Sequence, residues 1–297
     1  MVVRRRIPEQ PTSRPAIWAR RIALFSLAAT LIAIIIVRSG ALDIVPAIST
    51  LAGALMLAVV AILLALKAGI AIWKEGIGGA REAATGLVIG LVIIAYPLYL
   101  GVKAYKLPAI YDVTTDPIDP PRFEAIARLR PRDANPILYA GLYAAEQQHK
   151  AYSEVKPDDR TATPQDAYDA AMKAITKRKW TVVDARPPQQ DALPRLAKAR
   201  APQPDRTRDG LIEAIAFTPI LRFRDDVVVR VRATLAGARI DVRSASRYGH
   251  HDLGANAARV LALISDIDDA LAAPASDRKQ REAKPAQAAG KGSSVKR

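Results

Sequence analysis

Residues 48–73 read ISTLAGALMLAVVAILLALKAGIAIW and contain a single charged side chain, that of Lys67. A helix of about 20 predominantly apolar residues crosses the hydrocarbon core of a bilayer. Lys67 lies near the end of the run, where its aliphatic stem lets the ammonium group reach the headgroups. This stretch therefore predicts a membrane-spanning helix.

Two more runs have the same character. Residues 22–37 are uncharged and carry only Ser26 and Thr30 as polar residues, and residues 83–102 form the third run. Three spans place the two ends of the chain on opposite sides of the membrane. We expect a three-helix transmembrane domain over residues 1–106, an α+β domain over residues 107–273, and a disordered basic tail over residues 274–297.

Basic residues at the two ends carry much of the formal net charge of +15. Residues 1–21 hold six arginines against one glutamate, and residues 274–297 hold seven basic residues against two acidic ones. Such clusters beside apolar spans are typical of topology signals and of contacts with anionic lipids. A nucleic-acid interface would need aromatics or a recognition helix, which these ends lack, so no nucleic-acid partner is expected.

The basic residues around the spans also predict the orientation. Arginines before the first span outnumber Arg38 of the first loop, and the second loop carries Lys74 and Arg81. By the positive-inside rule the N-terminus lies in the cytoplasm and the α+β domain lies outside it. A cleaved signal peptide ending at Ser39-Gly40-Ala41 is the alternative interpretation of the first run.

Small residues in the second and third spans predict where these helices pack. They recur at every fourth position, which permits close approach of helices in lipid. The loop Gly76–Gly79 between the spans is predicted to be flexible, and it lacks the strand and the Lys-Ser/Thr pair of a phosphate loop. The small residues are Ala61, Ala65 and Gly69 in the second span and Gly86 and Gly90 in the third.

The remainder of the chain shows helix and strand signals. Thr163 is a suitable N-cap before Pro164, and strand-like alternation appears at residues 211–217, 227–232 and 238–245. Residues 187–209 are rich in proline and arginine and predict a mobile loop. We therefore expect an α+β fold with an antiparallel sheet covered by helices.

A turn at Ala236-Gly237 is predicted to join the last two strands as a hairpin. One face is then apolar and the other is lined by arginines. A closing helix, capped by Asp252, is expected to cover the apolar face. With a two-residue turn, the predicted pairs are Val231 with Val242, Arg232 with Asp241 and Arg230 with Arg243.

The densest polar stretch is DVRSASRYGHHDLGAN at residues 241–256, which continues to Arg259. Together with Glu213-Ala214, Asp225–Arg230 and the segment from Thr114 to Phe123, it resembles the bacterial family called domain of unknown function 1499 over residues 111–272. That family has no established activity, so no catalytic residue is carried over. Its members look like envelope proteins with membrane helices, which implies the bacterial inner membrane and a periplasmic α+β domain.

The strand-to-helix stretch offers a candidate anion-binding site. Guanidinium groups, hydroxyls and free helix amides can converge on a phosphate, a carboxylate or a lipid headgroup. The alternative is that the arginines pair with nearby acids and only order the corner. The candidate ligands are Arg230, Arg243, Ser244, Ser246, Arg247, Asn256 and Arg259, and the candidate acid partners are Glu213, Asp225, Asp226, Asp241 and Asp252.

An enzymatic alternative is a membrane-anchored hydrolase that uses the Ser244–Asp252 segment. The adjacent His250 and His251 are a poor pair for one site, and no Gly-x-Ser-x-Gly elbow is present. Zero cysteines exclude disulfides and cysteine-ligated metals, and no cofactor, metal or catalytic residue is assigned. The expected function is a structural or headgroup-binding envelope module, with the lipid bilayer, anionic headgroups or another envelope protein as partners.

Overall fold

The computed structural model describes residues 11–40, 44–189 and 209–272. The chain divides into two compact units, Met1–Lys106 with Thr218–Phe223, and Leu107–Phe217 with Arg224–Arg297. The predicted disordered tail, residues 274–297, lies outside the described residues, as does most of the predicted mobile loop at 187–209.

Three long apolar helices make up most of the first unit: α1 (Arg14–Ser39), α2 (Ile44–Glu75) and α3 (Ala80–Lys106). Pro15 lies in the first turn of α1, where its missing N–H costs no hydrogen bond, and Gly40 ends this helix in the left-handed conformation. All three are long and apolar enough to cross a membrane, by length and composition. The prediction of three such helices is confirmed.

Glycines of α3 allow close approach to both other helices. A Cβ on Gly90 would lie 2.6 Å from Ile62 Cγ1 of α2, and one on Gly86 would lie 2.8 Å from the carbonyl carbon of Ala19 in α1. The predicted contact of Gly90 with the second helix is confirmed, but Gly86 packs against α1 instead. A small-residue repeat indicates a face that permits close approach without specifying the neighbour that fills it.

The loop between α2 and α3 is hydrogen-bonded to the start of α1, and its flexibility stays a prediction. Gly78 N donates to Pro11 O at 3.0 Å, and Ser13 N donates to Gly78 O at 2.9 Å. Gly79 has a φ of +116°, and a Cβ there would lie 3.1 Å from that of Ala16. The glycines therefore permit a tight turn. The start of α1, the end of α2 and the start of α3 lie together at one end of the first unit.

The second unit is an antiparallel sheet with helices, which confirms the predicted α+β class. Its six strands follow the order β1-β6-β5-β4-β3, with β2 also paired to β6. The strands are β1 (Asp112–Thr114), β2 (Asp158–Arg160), β3 (Thr181–Arg186), β4 (Gly210–Phe217), β5 (Arg224–Thr234) and β6 (Gly237–Ser246). The helices are α4 (Ala125–Leu129), α5 (Gly141–Ala151), α6 (Pro164–Lys177) and α7 (Ala255–Ala272).

Both faces of the sheet are covered. On one face, apolar residues of α6 and α7 form the main core with inward residues of the strands, and Val227, Val229 and Val231 are buried there. On the other face, Phe123 and Ile126 pack in a smaller apolar cluster. They belong to the segment of residues 115–139, which we call the covering segment.

The β5–β6 hairpin has a register that differs by two residues from the predicted one, so the predicted pairs are wrong. The turn is Leu235-Ala236, because Gly237 belongs to β6. A Cβ on Gly237 would lie 2.2 Å from Arg160 O, so this glycine permits close backbone approach. A two-residue shift changes partners but keeps each side chain on its predicted face. The observed pairs are Arg230 with Asp241, Val231 with Ile240, Arg232 with Arg239 and Val229 with Val242.

Two predicted helix starts are confirmed. The hydroxyl of Thr163 accepts a hydrogen bond from Asp166 N at 3.1 Å at the start of α6. The carboxylate of Asp252 accepts from Gly254 N and Asn256 N, each at 2.8 Å, at the start of α7. These bonds satisfy amides that lack a partner within the helix. The second cap fixes the corner between β6 and α7, which carries several of the candidate ligands.

Candidate functional site

Five arginines lie on the sheet face beneath the covering segment, and we call this surface the arginine face. It comprises Arg230, Arg232, Arg239, Arg243 and Arg247. Arg230 is 5% exposed, and Arg243 and Arg247 are each 2% exposed. A guanidinium group buried to this degree requires a partner, because its desolvation is costly.

Three aspartates neutralise the hairpin end of the arginine face. Arg230 Nη2 lies 3.0 Å from Asp241 Oδ2, and its Nη1 lies 3.0 Å from Asp119 Oδ2. Arg239 Nη2 lies 2.9 Å from Asp116 Oδ2. Arg232 shares all three of these carboxylates. This end of the face is thus a balanced network of three arginines and three aspartates.

Asp116 joins the backbone of the covering segment to this network. Its Oδ1 accepts hydrogen bonds from Ile118 N and Asp119 N, both at 3.1 Å. Burial acts to raise the pKa of Asp116, but these amides and the Arg239 guanidinium outweigh it and hold the pKa below its ordinary value. Asp116 is therefore ionised at neutral pH.

Arg243 is as deeply buried as Arg247 and has the larger set of partners on the face. Its Nε donates to Asp112 Oδ1 at 3.0 Å and its Nη2 donates to Asp112 Oδ2 at 2.6 Å. The same guanidinium donates to Pro121 O at 3.0 Å and Ile137 O at 2.8 Å, and it lies 4.8 Å from the Phe123 ring centre. Burial raises the pKa of Asp112, while Arg243 opposes this rise. An external anion would have to displace the Asp112 carboxylate.

Asp226 pairs with two arginines at the corner end of the face. Arg247 Nη2 lies 2.7 Å from its Oδ1, and Arg130 Nε lies 2.6 Å from its Oδ2. Arg130 Nη1 also donates to Asn135 O at 2.7 Å. Asp226 thus connects β5 both to the covering segment and to the residue that follows β6.

The opposite face of the sheet carries a separate polar cluster at the start of α7. Ser244 Oγ donates to Asn256 Oδ1 at 2.7 Å, and Arg259 Nη1 donates to Ser244 Oγ at 2.9 Å. Asn256 Nδ2 donates to Ser246 Oγ at 3.0 Å. Arg259 also pairs with Asp225. Burial raises the pKa of Asp225, and Arg259 opposes this rise.

The structure divides the seven predicted anion ligands between the two faces of the sheet. Arg230, Arg243 and Arg247 lie on the arginine face, while Ser244, Ser246, Asn256 and Arg259 lie on the opposite one, because strand side chains alternate. All four arginines have a carboxylate partner. The expected unfavourable pair of Arg230 with Arg243 is not formed, since Arg243 lies opposite Val228.

Three of the five expected acid partners do pair with arginines, namely Asp225, Asp226 and Asp241. Glu213 instead accepts amide hydrogen bonds from Glu124 at 2.7 Å, Ala125 at 3.0 Å and Ile126 at 2.8 Å, at the start of α4. Sequence reasoning missed three paired aspartates, Asp112, Asp116 and Asp119, which lie in residues 112–119, here called the lead-in segment. The sequence feature that could have indicated these aspartates was their position, since this segment lies within the region of family resemblance.

Among the described residues Ser244 is not hydrogen-bonded to a histidine or a carboxylate, whereas Ser246 hydrogen-bonds to the Asp225 carboxylate. The hydrogen-bonding partners of Ser244 Oγ are an amide and a guanidinium. His251 Nδ1 accepts from Leu253 N at 3.0 Å, and His250 is exposed. Among the described residues, no group of three or more His, Cys, Asp or Glu side chains is placed to hold a metal ion.

A small pocket opens beside Arg230 at the β4 side of the arginine face. Its volume is about 30 Å³, which is room for a water-sized group. Arg122 is exposed at its rim and forms no ion pair with any described residue. The pocket is lined by Arg122, Glu124, Arg186, Asp209, Leu211 and Arg230.

Most of the second unit matches a known protein family. Residues 112–267 match the family described as "Protein of unknown function (DUF1499)", and this match covers more than half of the chain. The chain belongs to the DUF1499 family. The match includes the arginine face, its aspartate partners in the lead-in segment and most of α7, and it confirms the resemblance seen in the sequence. Neither a curated protein nor a solved structure matches this DUF1499 chain.

Proposed function

We propose that this DUF1499 protein is an integral protein of the bacterial inner membrane, with a cytoplasmic N-terminus and a periplasmic α+β domain that acts as a non-catalytic structural module. The observation that carries the second half of this proposal is the pairing of the buried arginines on the arginine face with aspartates of the same domain. A site that recruits an anion keeps cationic groups available. In addition, Arg230 and Arg243 hold the covering segment on the sheet through Asp119 and the carbonyl oxygens of Pro121 and Ile137.

The orientation rests on the basic residues at the end shared by the starts of α1 and α3 and the end of α2. Arg14, Arg20, Arg21, Lys74 and Arg81 lie there, and such an excess marks the cytoplasmic side. The partners we propose are the bilayer itself and another envelope protein, which would dock on the exterior of the domain.

A second candidate function is binding of an anionic headgroup or a small phosphate. The exposed Arg122 at the rim of the pocket beside Arg230 favours it, because this guanidinium forms no ion pair with any described residue. Such a ligand would contact Arg122 without displacing Asp112 or Asp241.

Topology can be tested by cysteine labelling, since the natural chain contains no cysteine. Leu235, in the turn of the β5–β6 hairpin, is 81% exposed, and Glu75 is the last residue of α2. Each is replaced by cysteine in a separate variant. In cells with a permeabilised outer membrane, an impermeant maleimide should label Leu235→Cys, and it should label Glu75→Cys only after lysis. The reverse pattern would contradict the periplasmic location.

The structural and anion-binding functions differ in their response to ligand. Melting of the purified full-length protein should not change when phosphate or glycerol phosphate replaces chloride at equal ionic strength, because the buried arginines are already paired. A rise in Tm that Arg122→Gln abolishes would support the second candidate and contradict the purely structural one.

A further inference from the structure

The outward side of α2 combines exposed apolar residues with two lysines. Met56, Leu63 and Ile70 are 71%, 60% and 59% exposed within the first unit. Lys67 and Lys74 fall on the same stripe, because residues three, four and seven apart share one face of a helix. The stripe is therefore apolar along one part and cationic at its end.

Lys67 lies at the depth of the arginines at the start of α1. Its neighbour Ala68 packs in one cluster with Ala16 of α1 and Ala83 of α3. Arginines precede and follow Ala16 in α1, so cations of two helices lie at one level of the unit. Trp73, which is 90% exposed, follows on the next turn of α2. A belt of cations and tryptophan is typical of the headgroup level of a bilayer.

Neither lysine of the stripe is neutralised within the described part of the chain, where neither forms an ion pair. The nearby Arg20, in contrast, lies 3.9 Å from Glu82. An unpaired cation beside lipid is costly unless it reaches an anion at the interface. Phosphate groups of lipids are the anions present at that level.

A second copy of the chain is a poor occupant for this surface. A parallel contact through the stripe would bring Lys67 and Lys74 against their own counterparts, and like charges in such a seam are repulsive. A phospholipid matches both parts of the stripe, since its acyl chains are apolar and its phosphate is anionic.

We propose that this stripe of α2 is a binding site for an anionic phospholipid, with the phosphate held between Lys67 and Lys74 and the acyl chains along Leu63 and Met56. The two lysines are separated by about 10 Å along the helix axis, so two flexible stems reach a headgroup between them. The inference rests on the proposal that α2 crosses a membrane, and it adds the chemistry of the lipid that α2 selects.

The first test compares lipid compositions. The full-length protein is placed in nanodiscs of phosphatidylcholine alone or mixed with phosphatidylglycerol of the same acyl chains. We expect phosphatidylglycerol to raise Tm of the natural protein by about 2–4 °C. The double variant Lys67→Gln, Lys74→Gln should lose this rise, and Lys67→Arg, Lys74→Arg should keep it. No rise in the natural protein would overturn the inference.

A matched control separates a site from general surface charge. Lys103→Gln with Lys106→Gln removes the same charge at the opposite end of α3, and it should retain the full rise in Tm. An equal loss in both double variants would mean that only the net charge matters, and would overturn the site on α2.

A second measurement uses a chain that keeps both lysines. Trp18→Phe with Trp180→Phe leaves Trp73 as the single tryptophan. Phosphatidylglycerol with brominated acyl chains should quench Trp73 fluorescence more than brominated phosphatidylcholine at the same mole fraction. Equal quenching by the two lipids would contradict selectivity but keep the membrane proposal. An absence of quenching by either would contradict membrane insertion of α2 itself.

Discussion

Arg243 and Asp112 form a two-point ion pair, with 3.0 Å between Nε and Oδ1 and 2.6 Å between Nη2 and Oδ2. Asp112 begins the edge strand β1, and Arg243 lies in the neighbouring strand β6. The side chain of Asp112 is 1% exposed and that of Arg243 is 3% exposed. The pair therefore joins the lead-in of the second unit to the sheet from inside the domain.

Removal of one partner of this pair should be strongly destabilising. Arg243→Gln or Asp112→Asn leaves a buried charge without its partner, which costs about 3–5 kcal/mol of the free energy of unfolding. The double variant should lose less than the sum of the two single losses. Denaturant unfolding of the full-length protein in detergent measures these differences. Arg128→Gln, at an exposed arginine of α4, is the control and should cost little. Additive losses would contradict the coupling.

Glu213 is expected to hold the start of α4 through both oxygens of its carboxyl group. Glu213→Gln keeps one acceptor oxygen but replaces the other with an amide NH2, which cannot accept a hydrogen bond, so we expect a loss of about 1–3 kcal/mol. Hydrogen exchange of the amides of Glu124, Ala125 and Ile126 should become faster. Glu146→Gln, at an exposed glutamate of α5, should leave this exchange unchanged. Unaltered protection in the Glu213 variant would show that packing alone orders α4.

Gly90 should tolerate no side chain, whereas another glycine of the same helix should. Gly90→Ala pushes a Cβ against Ile62 and Ala58 of α2, and such overpacking costs about 1–3 kcal/mol. Gly101→Ala meets nothing within 4 Å and should be neutral or slightly stabilising, because alanine favours helix. Thermal melting followed by helical circular dichroism compares the two. Similar melting of both variants would contradict the close packing of α2 and α3.

The ion pairs between α6 and α7 should make stability depend on pH in the acid range. Asp266 lies 2.8 Å from Lys177 Nζ and also pairs with Arg178. The hydrogen bond from Lys177 is the largest cause that lowers the pKa of Asp266 below 3.8. A lowered carboxyl pKa stabilises the fold fully above the unfolded value, and this stabilisation disappears as pH falls through the folded value.

Asp266→Asn should therefore be less stable than the natural protein above pH 3.8, and the gap should close as the pH falls below that value. Unfolding curves over a series of acidic pH values measure the gap. Asp269→Asn, at an exposed aspartate of the same helix, is the control for the loss of one carboxylate. A gap that widens toward low pH would contradict the assignment.

The sequence predicted features that depend on neighbours within one element. The structure contains the apolar helix predicted at residues 48–73 and the helix cap predicted at Thr163. It also places each β5 and β6 side chain on the face that strand alternation predicted. The arginines of the candidate site and three of their acid partners were also identified from the sequence. The sequence did not predict which arginine pairs with which aspartate.

The sequence by itself determined the three apolar helices, the α+β class and the side of the sheet on which each hairpin residue lies, because helix and strand periodicities are local properties of the chain. Only the tertiary structure decided that Gly86 meets α1, that Gly237 opens β6 beside Arg160, and that Arg243 pairs with Asp112. These contacts join residues far apart in the chain, and their partners are selected by the packing of whole elements. The charge balance of the arginine face was settled in this way, since alternation placed the arginines on one face while the fold of the covering segment brought Asp116 and Asp119 to them.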